Sequence, residues 1–162
     1  MEVFEAIKNR RSIRKYRQEQ IPKEKIDILI EAGRLAPTAA NKQRFKLVIV
    51  DNEEIKKRLG VACNNQTFVG TASHVIAGTV DPDWKWNQVD IAIVLEHIVL
   101  EAFQLGFGTC WIGAFNEEEV KKILNIPENI KVVALLAIGF ADEAPAPRAR
   151  KAAEEIVSFN EY

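Results

Sequence analysis

Cysteine and histidine are scarce in this chain, with two of each among its 162 residues. Two thiols, Cys63 and Cys110, are too few for a disulfide framework, and they read as reduced, buried side chains. His74 and His97 each sit alone in an apolar segment, so no zinc-type ligand spacing arises, and both read as satisfied core or interface histidines. There is no G-x-S-x-G nucleophile elbow and no phosphate-binding P-loop. Gly106-Phe107-Gly108 follows a helical stretch instead of opening one, which excludes it as a dinucleotide fingerprint. An excess of one charge is also missing. Lys and Arg number 22 against 23 Asp and Glu, a balance that argues against nucleic-acid or acidic-membrane binding through overall charge. The greasiest stretch, Val89 to Leu105, carries Asp90, Glu96, His97, Glu101 and Gln104, so it does not read as a membrane span. The start, Met1-Glu2-Val3-Phe4-Glu5, lacks the basic and apolar regions of a signal peptide, and a cytoplasmic protein is expected. A chain without acid–base or metal machinery must borrow its reactivity, and a redox cofactor is one such source.

The length fits one domain, 1–162, with one segment resembling a linker, the arm 144–162. Val3, Phe4 and Ile7 recur at helical spacing. Pro22 suits the first turn of a second helix with Ile26, Leu29 and Ile30 on one face, which should stop between Gly33 and Pro37. Strands are expected at Phe45–Val50, His74–Thr79, Thr109–Ile112 and Val132–Ile138, with a helix over Glu53–Leu59. Asn116 with Glu119 three residues on marks the start of a helix over Glu117–Leu124. Val89–Leu105 is apolar around its whole axis, the pattern of a helix buried by its own domain or by a partner; in a domain this small, a dimer core is favoured. Ala144 to Lys151, rich in Pro, Ala and Arg, cannot be regular and reads as an extended arm. The alternation of strands and helices, taken alone, predicts a parallel α/β sheet.

Two basic clusters stand out: Arg10, Arg11, Arg14 and Lys15 around Ser12, and Arg148, Arg150 and Lys151. Guanidinium groups hold phosphate oxygens through paired, charge-assisted hydrogen bonds, and a serine hydroxyl can add a donor. Each cluster alone is an ordinary solvated surface; together they mark a candidate phosphate site. The loop Pro37 to Gln43 offers amides, Asn41 and Gln43, that both donate and accept, as a flat heterocycle with carbonyls and ring nitrogens requires. Gly113, after a strand, lets backbone approach a ligand.

These motifs resemble the nitroreductase-like flavoproteins over nearly the full length. Four stretches carry the resemblance, in order: Arg10-Arg11-Ser12-Ile13-Arg14-Lys15-Tyr16, Ala36-Pro37-Thr38-Ala39-Ala40-Asn41-Lys42-Gln43, Leu105 to Phe115, and Gly139-Phe140 followed by Pro145, Arg150 and Lys151. It implies an α+β fold with a mixed, mainly antiparallel central sheet flanked by helices, in an interlocked homodimer with FMN at the interface. It further implies that Arg10, Ser12 and Arg150 hold the FMN phosphate, with Arg11 joining them or facing outward, and that Arg14 lies near the ribityl chain. Pro37, Thr38, Ala39, Asn41 and Gln43 would meet the flavin from the second subunit, Asn65 would bond the ring, and Ile112, Gly113 and Ala114 would pass its edge. Ile156 to Tyr162 would reach toward the partner. The implied activity is ping-pong transfer of hydride from NAD(P)H to nitroaromatic, quinone or similar acceptors, with the chemistry carried by the flavin and not by a side chain. A flavin-binding or storage protein and a reductive dehalogenase of the same family are the alternatives. Arg44 departs from the pattern, standing where many relatives have proline.

Overall fold

A computed structural model describes residues 2–162. Among these, six α-helices and four strands follow one another: α1 (Val3–Asn9), α2 (Lys23–Arg34), β1 (Phe45–Val50), α3 (Glu53–Ala62), α4 (Thr67–Thr71), β2 (His74–Val80), α5 (Asn87–Gln104), β3 (Gly108–Ile112), α6 (Glu117–Leu124) and β4 (Lys131–Gly139). The strands form one sheet in the order β1-β2-β4-β3, and every neighbouring pair runs antiparallel. The parallel sheet expected from alternation is therefore wrong, and the mixed, mainly antiparallel α+β architecture implied by the resemblance is right: the named strands all pair antiparallel, and an isolated bridge, Ser12 to Thr109, is parallel.

Alternation of elements does not fix strand direction, and the burial pattern does not correct it here. Ile76, Ala134, Leu136 and Ile138 pack against α2 and α5, while Val75, Ala77, Leu135 and Ala137 pack with Leu59, Val69 and Val120 of α3, α4 and α6. Both faces of the sheet are covered, so β2 and β4 read as continuous apolar runs. Such runs are typical of parallel sheets because those sheets are also buried on both faces. Here the burial is two-sided and the strand direction is not parallel.

Local signals explain most element ends. The Asn116 side chain accepts from the Glu119 N–H at 3.1 Å, capping α6, and Asn52 caps α3 in the same way at 3.0 Å. The expected N-cap at Asn116 is present. Gly106 (φ 86°) closes α5: its N–H bonds Phe103 and the next N–H, of Phe107, bonds Ala102. Pro22 stands one residue before α2, not inside its first turn. The short α4 has no counterpart among the expected elements. Its five residues, Thr-Phe-Val-Gly-Thr, are too few and too β-prone for a periodicity signal, and the two carbonyls just past its end are held from outside. Lys56, only 2% exposed, donates to the backbone oxygens of Ala72 and Ser73 at 2.7 and 2.8 Å.

The long apolar helix α5 is buried mainly by its own domain, through Ile91, Val94, Leu95, Ile98, Val99 and Ala102. Its remaining flank, with Ile93, His97 and Leu100, is half-buried. No helix of the described residues is long and apolar enough to cross a membrane. The arm from Ala144 to Ala152 contains no helix or strand, as its composition requires, and ends in a single 3-10 turn at Ala153–Glu155.

His74 provides a handle on acid stability. Its ring is buried against the Ser73 hydroxyl (Nδ1 to Oγ 2.9 Å), and burial holds its pKa below the ordinary histidine value, with Asp51 pulling the other way. The folded state thus binds fewer protons than the unfolded chain as pH drops below about 6.5. Stability is complete above that pH and falls through the acid window beneath it. Urea midpoints measured from about pH 7.5 to 5 should fall with acid. A His74→Gln variant should show a flatter slope; an unchanged slope would remove His74 as its cause.

Candidate functional site

The two basic clusters lie more than a hundred residues apart in sequence, and backbone pairing brings them together. After α1 the chain runs alongside β3: Ser12 bridges Thr109 in parallel, and the Ile13 N–H bonds the Thr109 oxygen at 2.8 Å. It then crosses to the end of β4, where Tyr16 pairs with Ala141, the Arg17 N–H bonds Phe140 and the Asp142 N–H bonds Lys15. The Tyr16 hydroxyl donates to the Ile13 oxygen at 2.7 Å and lies 3.3 Å from that of Ala137. Burial, the first cause, with the neighbouring Cys110 and Glu143, pushes its pKa far up, so it remains a donor. The arm leaving β4 therefore starts beside the N-terminal basic segment.

Between them lies a cavity of 540 Å³. Arg10, Ser12 and Arg14 line one side, and Arg148 and Arg150 the other. Arg150 is exposed, and its guanidinium makes a weak bond to the neighbouring Ala149 oxygen at 3.2 Å. Arg11 also borders the cavity, but its guanidinium turns back to the carbonyls of Lys8 and Arg10, at 2.9 and 2.7 Å, and closes the end of α1. One carboxylate, Glu143, stands in the cavity wall and accepts the backbone N–H of Arg14. Nothing in the sequence pattern singles it out. Positive charge predominates, and the donor set of guanidiniums and a hydroxyl fits a phosphate monoester.

The amide loop is elsewhere. Thr38 to Gln43 forms one tight turn in which Ala40, Asn41 and Gln43 have φ of 49°, 53° and 50°. Left-handed backbone is unfavourable for Ala and Gln, and such strain collects at ligand-holding segments. Within the turn, the Gln43 N–H donates to Thr38 Oγ1 at 3.1 Å, and its amide donates to Asn41 Oδ1 at 3.2 Å. Pro37 is exposed at its entrance. The turn is tied down by Asp90, whose Oδ1 accepts the Ala39 N–H at 2.9 Å. In the sequence Asp90 serves only as an argument against a membrane span; a carboxylate inside the most apolar helix was the signal for a buried partner.

A third group forms at the far end of β3. Ile112 is buried, whereas Gly113 and Ala114 are exposed, and a Cβ added to Gly113 would meet nothing within 4 Å. Open space beside this backbone leaves room for a ligand edge. Asn65, exposed and left-handed at φ 59°, lies nearby, because the side chain of the following Gln66 joins the Cys63 oxygen (2.8 Å) to that of Ala114 (3.3 Å).

One chain does not bring all of these groups to one place. Ser12 sits at the β3 edge, near Gly108 and Gly139, whereas the amide loop enters β1 at Phe45, on the opposite edge and opposite end. Three strand spacings and about six residues of strand separate these corners, roughly 14 Å across and 20 Å along.

A family model described as the nitroreductase family matches residues 7–81 and 62–140. The chain belongs to the nitroreductase family. As a nitroreductase-family member it is an oxidoreductase, and known structures repeat its fold. A nitroreductase family protein from Clostridium novyi NT is 34% identical, covers 91% of this chain and 89% of its own, and superposes with a TM-score of 0.85. An FMN-dependent nitroreductase from Clostridium difficile R20291 is 26% identical over 98% of this chain and 99% of its own, with a TM-score of 0.89. An NADPH-flavin oxidoreductase of Vibrio harveyi is 27% identical over 98% of this chain and 74% of that protein.

Proposed function

We propose that this nitroreductase-family protein binds FMN tightly, takes reducing equivalents from NAD(P)H and delivers them to an electron-poor acceptor such as a nitroaromatic or quinone, in a ping-pong sequence. The observation that carries this reading is the arginine-lined cavity built by two clusters that only the fold joins. Relatives described as FMN-dependent nitroreductase and NADPH-flavin oxidoreductase support it. FMN, when bound, supplies the two-electron chemistry that no side chain here offers.

The residues of the chain then bind and orient. Arg10, Ser12 and Arg150 hold the phosphate, and Arg14 is assigned to the ribityl chain. Arg11 serves α1 instead. Asn65 and the Ile112–Gly113–Ala114 edge border the ring, and Thr38, Ala39, Asn41 and Gln43, with Pro37 before them, meet it from a second copy. Two copies are needed because the amide loop and the basic cavity occupy opposite corners of one sheet. The exposed apolar surface fits this arrangement. Val3, Phe4 and Ile7 of α1 are uncovered, as are Ile156, Val157, Phe159 and Tyr162 of the arm. The free edge of β1 borders a 680 Å³ groove with Leu124, Ile126 and Ile130. A chain carrying this much uncovered apolar surface and an open sheet edge favours association.

Steady-state oxidation of NADH or NADPH by FMN-loaded protein tests the reading. Turnover should require added quinone or nitroaromatic and give parallel double-reciprocal lines. Bound flavin with no nucleotide oxidation under any acceptor would instead indicate a flavin-storage protein.

A further inference from the structure

We propose that Asp90 is a positioning residue that clamps the strained Thr38–Gln43 turn in the shape that meets the flavin ring. The inference rests on the functional reading above for its ligand, but the clamp itself is a property of this chain. Asp90 is 3% exposed in the first turn of α5, a helix otherwise buried through apolar side chains. A buried carboxylate is costly unless its oxygens are bonded. Here each oxygen has a donor: Oδ1 accepts the Ala39 N–H at 2.9 Å, and Oδ2 accepts the Trp84 indole N–H at 2.8 Å. The helix N-terminus adds favourable potential, and no cation pairs with Asp90 among the described residues.

The turn depends on this contact. Among the described residues, the other hydrogen bonds of residues 38–43 run within the turn itself. The Ala39 N–H to Asp90 bond is what ties the turn to the rest of the chain. Its far end enters β1, where the Asp81 N–H bonds the Arg44 oxygen at 3.4 Å, and the Arg44 side chain reaches the same tryptophan. The Arg44 guanidinium lies 5.2 Å from the centre of the Trp84 ring and pairs with Asp81 at 3.1 Å. Asp90 and Trp84 thus grip both sides of a segment whose left-handed residues would otherwise relax toward ordinary backbone. The arrangement also gives Arg44 a role: it stacks on the tryptophan that Asp90 orients.

The experiment compares wild type, Asp90→Ala, Asp90→Asn and Val94→Ala. Val94 is buried one turn further along α5 and controls for general weakening of the helix. Hydrogen exchange of the flavin-free proteins is read at the peptide covering residues 38–44, followed by FMN titration and the spectrum of the bound flavin. Asp90→Ala should speed exchange of that peptide at least tenfold over Val94→Ala at matched global stability. It should also weaken FMN at least tenfold and shift the visible band of the bound flavin toward that of free FMN. Asp90→Asn, which keeps one acceptor, should recover part of each effect. Equal exchange in Asp90→Ala and Val94→Ala overturns the clamp. Faster exchange with unchanged FMN affinity and spectrum overturns its link to the flavin. A wild-type protein that takes up no FMN defeats the functional reading and the flavin half of this proposal, while the exchange comparison still decides the clamp.

Discussion

Replacing Arg150 with alanine should weaken FMN binding by about 10- to 150-fold, the equivalent of losing one charge-assisted contact of about 1.5–3 kcal/mol. The side chain is exposed on an irregular arm, and its bond in the structure is to its neighbour's carbonyl, so the fold should not depend on it. Thermal stability of the flavin-free protein should be unchanged. Affinity for riboflavin, which lacks the phosphate, should also be unchanged. A folded Arg150→Ala variant with wild-type FMN affinity would remove Arg150 from the phosphate site and leave Arg10 and Ser12 to explain it alone.

Gly108→Val should damage the same cavity from beneath. A Cβ at Gly108 would lie 2.7 Å from Ile13 Cγ1 and 2.9 Å from Ile13 Cβ. These atoms sit close to the backbone, so the clash cannot be relieved by rotating the end of a flexible side chain. Ile13 would have to move, and with it its neighbours Ser12 and Arg14, because the Ile13 N–H is bonded to Thr109 on the same strand. Overpacking of this kind costs about 1–3 kcal/mol. In a chain of this length that corresponds to a fall in Tm of roughly 3–10 °C. FMN retention should fall by more than that stability loss accounts for, since the cradle itself is displaced. Wild-type Tm and FMN affinity in Gly108→Val would show that Ile13 is not the support of the basic segment.

How much of this was legible in the sequence differs between fold and site. The strand Phe45–Val50 and the helix Glu117–Leu124 have the ends read from their residues, because a clear apolar run marks one and an Asn cap the other. Strand direction was not legible locally. Ala134 and Leu135 look alike in a sequence, yet they face opposite helical layers, and only the register with β2 and β3 shows the sheet to be antiparallel.

For the site, the residue types were legible and their company was not. Arg10 and Arg150 carry the guanidinium chemistry we propose for a phosphate, but their meeting depends on Tyr16 and Ala141 pairing beyond the end of β4. Arg11, identical in type to Arg10, is instead engaged with the carbonyls ending α1, a difference that composition cannot express. Glu143, in the cavity wall, and Asp90, bonded to the amide turn, do not stand out in the sequence because single acidic residues are common and only the fold shows what faces them. The separation of the amide loop from the basic cavity is visible only once the strand order is known.

Calorimetric titration of the flavin-free protein with FMN and with riboflavin, side by side, addresses the central idea most directly. If the arginine cavity grips a phosphate, FMN should bind at one per chain and at least about 100-fold more tightly than riboflavin. Equal affinity for the two flavins, or no uptake of either, would contradict it.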